Sequence, residues 1–149
     1  IRSSKVFSNS SIMLFSFNHI KEQPMLTTLT CIAIAIYFEA RGESIEGQQM
    51  VAATIINRIQ HPQFPDTACG VVKQRKQFSF YSDGKSDKPT EPEAYLTAAR
   101  IASEALKEGV VSETSLYFHS IAVQPIWRHK LKRIGKIGNH VFYADNKEN

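Results

Sequence analysis

One acidic residue interrupts a long apolar stretch, and its position there is the main clue to chemistry. Glu39 lies in the segment IAIAIYFEARGE, where helical periodicity places Ile32, Ala35 and Ile36 on its face. An apolar environment raises the pKa of a carboxyl group because it penalises the charged form. A carboxylic acid that stays protonated near neutral pH can donate the proton that breaks a glycosidic bond. The alternative is an acid that reaches solvent at a helix end, and this segment alone favours neither interpretation.

Glu43 is the nearest second carboxylate, one helical turn after Glu39. Paired carboxylates are typical of two-acid glycosidases, in which their separation decides between retention and inversion. Gly42 is expected to end the helix, however, which favours a Glu43 that caps or positions the following loop. We therefore place Glu43 among the candidate substrate-binding residues and give Glu39 alone the catalytic role.

Two predicted strands carry polar and aromatic side chains that suit sugar recognition. Gln77 and Ser79 share one face of the first strand, and Tyr117 and His119 share one face of the second. An ordinary amphipathic strand and a structural histidine are the plainer interpretations. Trp127, the only tryptophan, can stack on a sugar ring, although packing in a core is its more common use.

A basic run occupies residues 128–133, with the sequence RHKLKR. Clustered cations of this kind can bind the phosphates of nucleic acid or an anionic polymer of the bacterial cell wall. A loop whose charged side chains are simply solvated is an equally good interpretation of the same residues.

Composition indicates a single globular domain. Of the 149 residues 42% are hydrophobic and 21% are charged, and the net charge of +4 favours an anionic partner without identifying it. No apolar run approaches the ~20 residues that cross a bilayer. The 5 histidines show no HExxH or HxH spacing, so we expect no metal and no cofactor. Cys31 and Cys69 can form one disulfide or remain buried thiols.

The first 24 residues differ from the remainder. They are rich in Ser and Asn, and their apolar patch at 12–17 is short for a secretory signal. Because Met25 can be a start, we predict an N-terminal extension over 1–24, poorly ordered, and one domain over 25–149.

The predicted elements alternate between helices and short strands. Ser44 can cap the second helix, and Thr90 with Glu93 fits a capping box that opens the third. Gly42 and Gly109 are the expected stop signals of the first and third helices. Helices are predicted at 26–41, 45–60 and 90–108, a helical turn and a hairpin within 69–84, and strands at 115–121 and 140–144. This order predicts an α+β fold, mainly helical with short β-hairpin elements.

Four ordered motifs resemble the SleB-type cell wall hydrolase family, which contains spore cortex-lytic enzymes and related bacterial and phage wall hydrolases. A single EARGE would be weak support, but the four together extend over about residues 29–144 without large gaps. They are YFEARGE at 37–43 with GQ at 47–48 and NR at 57–58, FPDT at 64–67 with GVV at 70–72, QFSF at 77–80, and YFH at 117–119 with Pro125, Trp127 and IGNHVFY at 137–143.

The resemblance implies a lysozyme-like catalytic domain that cuts the glycan strands of peptidoglycan. Glu39 matches the first glutamate of the family's EARGE motif and is therefore implied to be the catalytic acid. The family resembles lytic transglycosylases, which use one essential acid. His140 and Tyr143 lie in its last motif and join the candidate substrate-binding residues. The chain departs from the family pattern in its first 24 residues and in the lack of a separate wall-binding module.

These inferences predict a monomeric, extracytoplasmic enzyme that acts at the bacterial cell wall, is secreted, periplasmic or phage-delivered, and needs no nucleic acid partner. The nearest alternative is a lysozyme-like muramidase or glucosaminidase on the same fold, with Glu43 or an aspartate activating water. A non-catalytic module that binds wall or nucleic acid through residues 128–136 is the alternative from another class.

Overall fold

The structure is a computed structural model that describes residues 24–74 and 88–146. Within these residues four helices precede a small sheet, and the helices are α1 (Met25–Ala40), α2 (Ile45–Ile59), α3 (Ala68–Lys73) and α4 (Pro92–Glu108). The strands are β1 (Ser115–Ser120), β2 (Lys132–Ile137) and β3 (His140–Ala144), and a 3-10 helix, Ile126–Lys130, precedes β2. The α+β prediction is confirmed. Most of the predicted extension, together with Gln77, Ser79 and their hairpin, lies outside the described residues.

Helix α1 is the centre of the core. Ile32, Ala35 and Ile36, which share the face of Glu39 in the sequence pattern, are each 0% exposed. The other three helices all pack against α1. A helix that is apolar nearly all round is stable only when surrounded by other elements. The position of α1 therefore explains how one acidic side chain can be held in an apolar environment.

The ends of the helices follow the sequence signals with one exception. The Ser44 side chain accepts a hydrogen bond from the backbone N–H of Gly47, as predicted for the cap of α2. The predicted Thr90 cap is wrong, because α4 begins at Pro92 and no side chain caps it. Instead, the buried Tyr37 hydroxyl accepts hydrogen bonds from the backbone N–H groups of Thr90 and Glu91, each 3.1 Å long.

The sheet is antiparallel, with strand order β1-β3-β2. The strand β3 matches its prediction and lies in the middle, whereas β2 covers part of the basic segment, in which no strand was predicted. The strand was missed because β2 lies at the edge of the described sheet with its residues largely exposed, and a bulge between Arg133 and Gly135 interrupts its alternation. Exposure on both faces leaves no apolar periodicity for a sequence to reveal.

A disulfide joins Cys31 of α1 to Cys69 of α3. The bond decides between the two states that the sequence left open, and no free cysteine is left among the described residues. It closes a chain segment with a sequence separation of 38 residues and holds α3 against the central helix. In the described part of the chain, no helix combines the length and the apolar character needed to cross a membrane.

Candidate active site

Glu39 lies in the last turn of α1 and is half-buried. Burial raises the pKa of its carboxyl group from 4.5 to about 7. No hydrogen bond or ion pair to this carboxyl group is found among the described residues, so nothing there offsets the cost of its charge. A substantial fraction of Glu39 is therefore protonated near neutral pH, which is the state that a general acid needs.

Ionisation of Glu39 should cost folding stability, and the sign follows from its raised pKa. The folded state holds the proton more tightly than the unfolded state. The stability that the protonated carboxyl group contributes is therefore fully present below pH 4.5 and is lost as the pH rises through 7. Glu39→Gln removes the penalty. The free energy of unfolding of the variant, relative to wild type, should rise by about 3 kcal/mol between pH 4 and pH 8. Urea unfolding at both pH values checks this, and a pH-independent difference would contradict it.

Glu43 forms a clamp on the turn between β2 and β3. Its two carboxylate oxygens accept hydrogen bonds from the backbone N–H and the side-chain amide of Asn139, at 3.0 and 3.1 Å. The Asn139 backbone N–H holds the pKa of Glu43 below its usual value. Gly138 has a φ of +59°, and a Cβ there would collide with the Glu43 carboxylate. These contacts make Glu43 an ionised anchor for the hairpin, in line with the loop-positioning interpretation.

Removal of the clamp should loosen the hairpin. Glu43→Ala leaves both Asn139 donors without their acceptor, and we expect it to lower the free energy of unfolding by about 1–2 kcal/mol. Chemical denaturation measures the difference. Glu113→Ala is the matched control, because Glu113 is exposed and makes no hydrogen bond or ion pair among the described residues. Equal stability of the two variants would show that the clamp contributes nothing.

The sheet gathers four of the predicted site residues into one cluster of rings. Tyr117, His119 and Tyr143 share a sheet face, and the Trp127 ring lies 5.5–5.7 Å from each of theirs. The His119 Nε2 atom lies 2.8 Å from the Tyr143 hydroxyl, and the two rings are stacked. Trp127 remains 37% exposed, whereas Tyr143 is 5% exposed. We call these four residues the ring cluster; its exposed indole is the part that a sugar ring can reach.

His140 lies on the opposite face of the sheet from the ring cluster. It is 6% exposed and packs against Phe118 and Phe142, with ring centroids 5.1 and 6.1 Å away. Burial lowers its pKa, so the imidazole is neutral near pH 7. His140 is therefore separated from the ring cluster by the sheet. Its predicted contact with substrate stays a prediction.

Arg58 packs on Tyr117 of the ring cluster, a contact that the sequence motifs did not predict. The residue is 3% exposed, and its Nε atom donates a 2.7 Å hydrogen bond to the Leu116 carbonyl oxygen. Its guanidinium lies over the rings of Phe64 and Tyr117, at 4.7 and 5.4 Å. The sequence offers one clue to this burial: Arg58 follows Ile55 by three residues and so shares a helix face with a buried residue.

The described residues offer no group of three His, Cys, Asp or Glu side chains that could hold a metal ion. Gln77 and Ser79 fall between the two described segments, so their predicted contacts with sugar stay predictions. Within the described segments, the candidate site consists of one desolvated acid on α1, a carboxylate that fixes the β2–β3 turn, and a partly exposed ring cluster.

Sequence comparison finds relatives among spore cortex-lytic enzymes. The protein of that name from Bacillus subtilis (strain 168) is 37% identical and aligns with 74% of this chain, and one from Bacillus cereus is 32% identical over the same share. The chain spans 35% and 42% of the length of these two relatives.

Solved structures give a fuller alignment. The catalytic domain of the germination-specific lytic transglycosylase SleB from Bacillus anthracis is 29% identical, with a TM-score of 0.69. The match covers 83% of this chain and 99% of that domain. The catalytic domain of the Bacillus cereus SleB protein gives a TM-score of 0.70 and covers 83% of this chain and 94% of that domain.

The family model for cell wall hydrolases matches residues 42–143. This range contains Glu43, all four members of the ring cluster and the β2–β3 turn, and it begins three residues after Glu39. Together with the relatives and the shared domain structure, the match confirms the resemblance seen in the motifs: the chain belongs to the cell wall hydrolase family.

Proposed function

We propose that this chain is an enzyme that cuts the glycan strands of peptidoglycan between N-acetylmuramic acid and N-acetylglucosamine, as a lytic transglycosylase. The observation that carries the proposal is Glu39, a carboxyl group whose pKa is raised to about 7 by burial and which has no partner among the described residues. Structural support comes from the SleB domain that is named a lytic transglycosylase.

Glu39 acts first as an acid and then as a base. Its proton passes to the oxygen that links the two sugars, the bond from this oxygen to the muramic C1 breaks, and an oxocarbenium-like centre develops there. The C6 hydroxyl of the same sugar then attacks C1, and the Glu39 carboxylate takes the hydroxyl proton. A 1,6-anhydro ring forms, Glu39 is protonated again, and neither water nor a second acid is consumed.

The ring cluster is assigned to substrate binding. Trp127 offers an exposed face for a sugar, and the hydrogen bond between His119 and Tyr143 orients two polar groups beside it. Glu43 is ionised and already accepts two hydrogen bonds, so it acts by holding the β2–β3 turn in place. The disulfide fits an oxidising compartment, which supports action outside the cytoplasm at the cell wall.

The chemistry of the new ends tests the proposal against hydrolysis. Purified peptidoglycan is digested in water enriched in oxygen-18, and the fragments are analysed by mass spectrometry. We expect anhydro ends that carry no label. Labelled reducing ends would instead show that water attacks, as in a muramidase or glucosaminidase, and would require a residue that activates it.

A further inference from the structure

The net positive charge of the protein is concentrated in the segment that forms its sheet. Residues 114–144 contain 5 of the 18 lysines and arginines and none of the 14 aspartates and glutamates. The remaining residues carry nearly balanced charge. Four of these cations are exposed, namely Lys130, Lys132, Arg133 and Lys136. A segment this long without a carboxylate attracts anions to one side of the molecule.

Strand register places two of the cations beside the ring cluster. Arg133 lies opposite Tyr143, and Lys136 lies opposite Val141, which in turn lies opposite His119. Directly opposed residues of an antiparallel sheet project from the same face. Arg133 and Lys136 therefore share the face of the ring cluster, one strand spacing of about 4.8 Å beyond β3.

Neither cation is neutralised within the described part of the protein. The three ion pairs there join Arg41 to Glu91, His61 to Asp145 and Arg100 to Glu104. Arg133 and Lys136 are both exposed, and β2 lies at the edge of the described sheet. Two exposed cations beside a partly exposed indole form a surface that complements a ligand with both a sugar and a carboxylate.

We propose that Arg133 and Lys136 bind the carboxylates of the peptide stems that branch from the glycan strand, so that the substrate is a stem-bearing strand. The inference rests on the proposed function, since it requires a sugar at the ring cluster. A stem attached to that sugar reaches β2 within one strand spacing. This continuity with the sugar site favours stems over a separate phosphate polymer, whose binding would not need cations on the face of the rings.

Binding experiments can separate this inference from catalysis. Titrations use the Glu39→Gln protein, so that strands are not cut, with fluorescence of the single tryptophan, Trp127, as the signal. The ligands are soluble glycan strands with intact stems and the same strands after amidase treatment. We expect tighter binding of the stem-bearing strands. Arg133→Gln with Lys136→Gln should reduce this preference by roughly three- to tenfold, and added salt should reduce it as well.

Arg100→Gln with Lys107→Gln is the matched control, because it removes one arginine and one lysine from the exposed surface of α4. Equal binding of both ligands by the parent protein, or equal preference in the two double variants, would overturn the inference. The inference would also be overturned if Arg133→Gln with Lys136→Gln lost more affinity for poly(glycerol phosphate) than for stem-bearing strands. Failure of the wild-type enzyme to cut strands that it binds with stem preference would instead count against the proposed function alone.

Discussion

Glu39→Gln is expected to lower the rate of peptidoglycan cleavage by roughly 10²–10⁴-fold, the usual contribution of one general acid. The amide keeps the size of the carboxyl group but has no proton to donate at ordinary pH. Since Glu39 is already partly protonated at neutral pH, a neutral replacement should leave the fold intact. The rate is measured as the release of soluble fragments from purified sacculi at pH 6.

Glu46→Gln is the matched control for this loss. Glu46 lies in the first turn of α2, is exposed, and lies outside the candidate site. Its variant should cleave at the wild-type rate. Near-full activity of Glu39→Gln, with circular dichroism showing both variants folded, would exclude Glu39 as the acid and would direct attention to other carboxylates of the chain.

Loss of the Cys31–Cys69 disulfide is expected to lower the free energy of unfolding by about 4 kcal/mol, because the bond closes a loop with a sequence separation of 38 residues. The bond restricts the conformations of the unfolded chain, so in the chain-entropy model its stabilising effect comes mainly from the lower entropy of the unfolded state. Cys31→Ala with Cys69→Ala removes it. Against a typical total stability of about 5–15 kcal/mol, this is a large share.

Guanidinium unfolding of the double variant and of wild type measures the loss. Wild type with added reductant serves as the control, since it breaks the same bond without changing the side-chain volume in the core. The two treatments should agree closely. A loss below about 1 kcal/mol in both would mean that α3 is held by its packing against α1 rather than by the bond.

The sequence was sufficient where an element is buried in the core. The face of Ile32, Ala35, Ile36 and Glu39 has a clear helical period, and the structure buries the three apolar members completely. The strand His140–Ala144 was predicted at its observed bounds because it is apolar and central. In both elements, contact with the core imposes an apolar pattern that can be recognised in the sequence.

Prediction failed where a distant residue determines the local structure. Tyr37 binds the N–H groups of Thr90 and Glu91 across more than 50 residues, so the local capping box at Thr90 does not form. Asn139 likewise engages Glu43 across 96 residues; Gly42 favoured a positioning role for this carboxylate, but the local sequence does not identify Asn139 as its partner. Such partners depend on the tertiary fold and leave no periodic signal.

The pH dependence of kcat for glycan cleavage is the measurement that bears most directly on Glu39 as a protonated acid. With a pKa of about 7 for Glu39, kcat should be highest below pH 7. Above pH 7 it should fall about tenfold per pH unit while circular dichroism shows that the protein stays folded. A kcat that rises through pH 7 and stays high at pH 9, or no cleavage at any pH, would contradict this role.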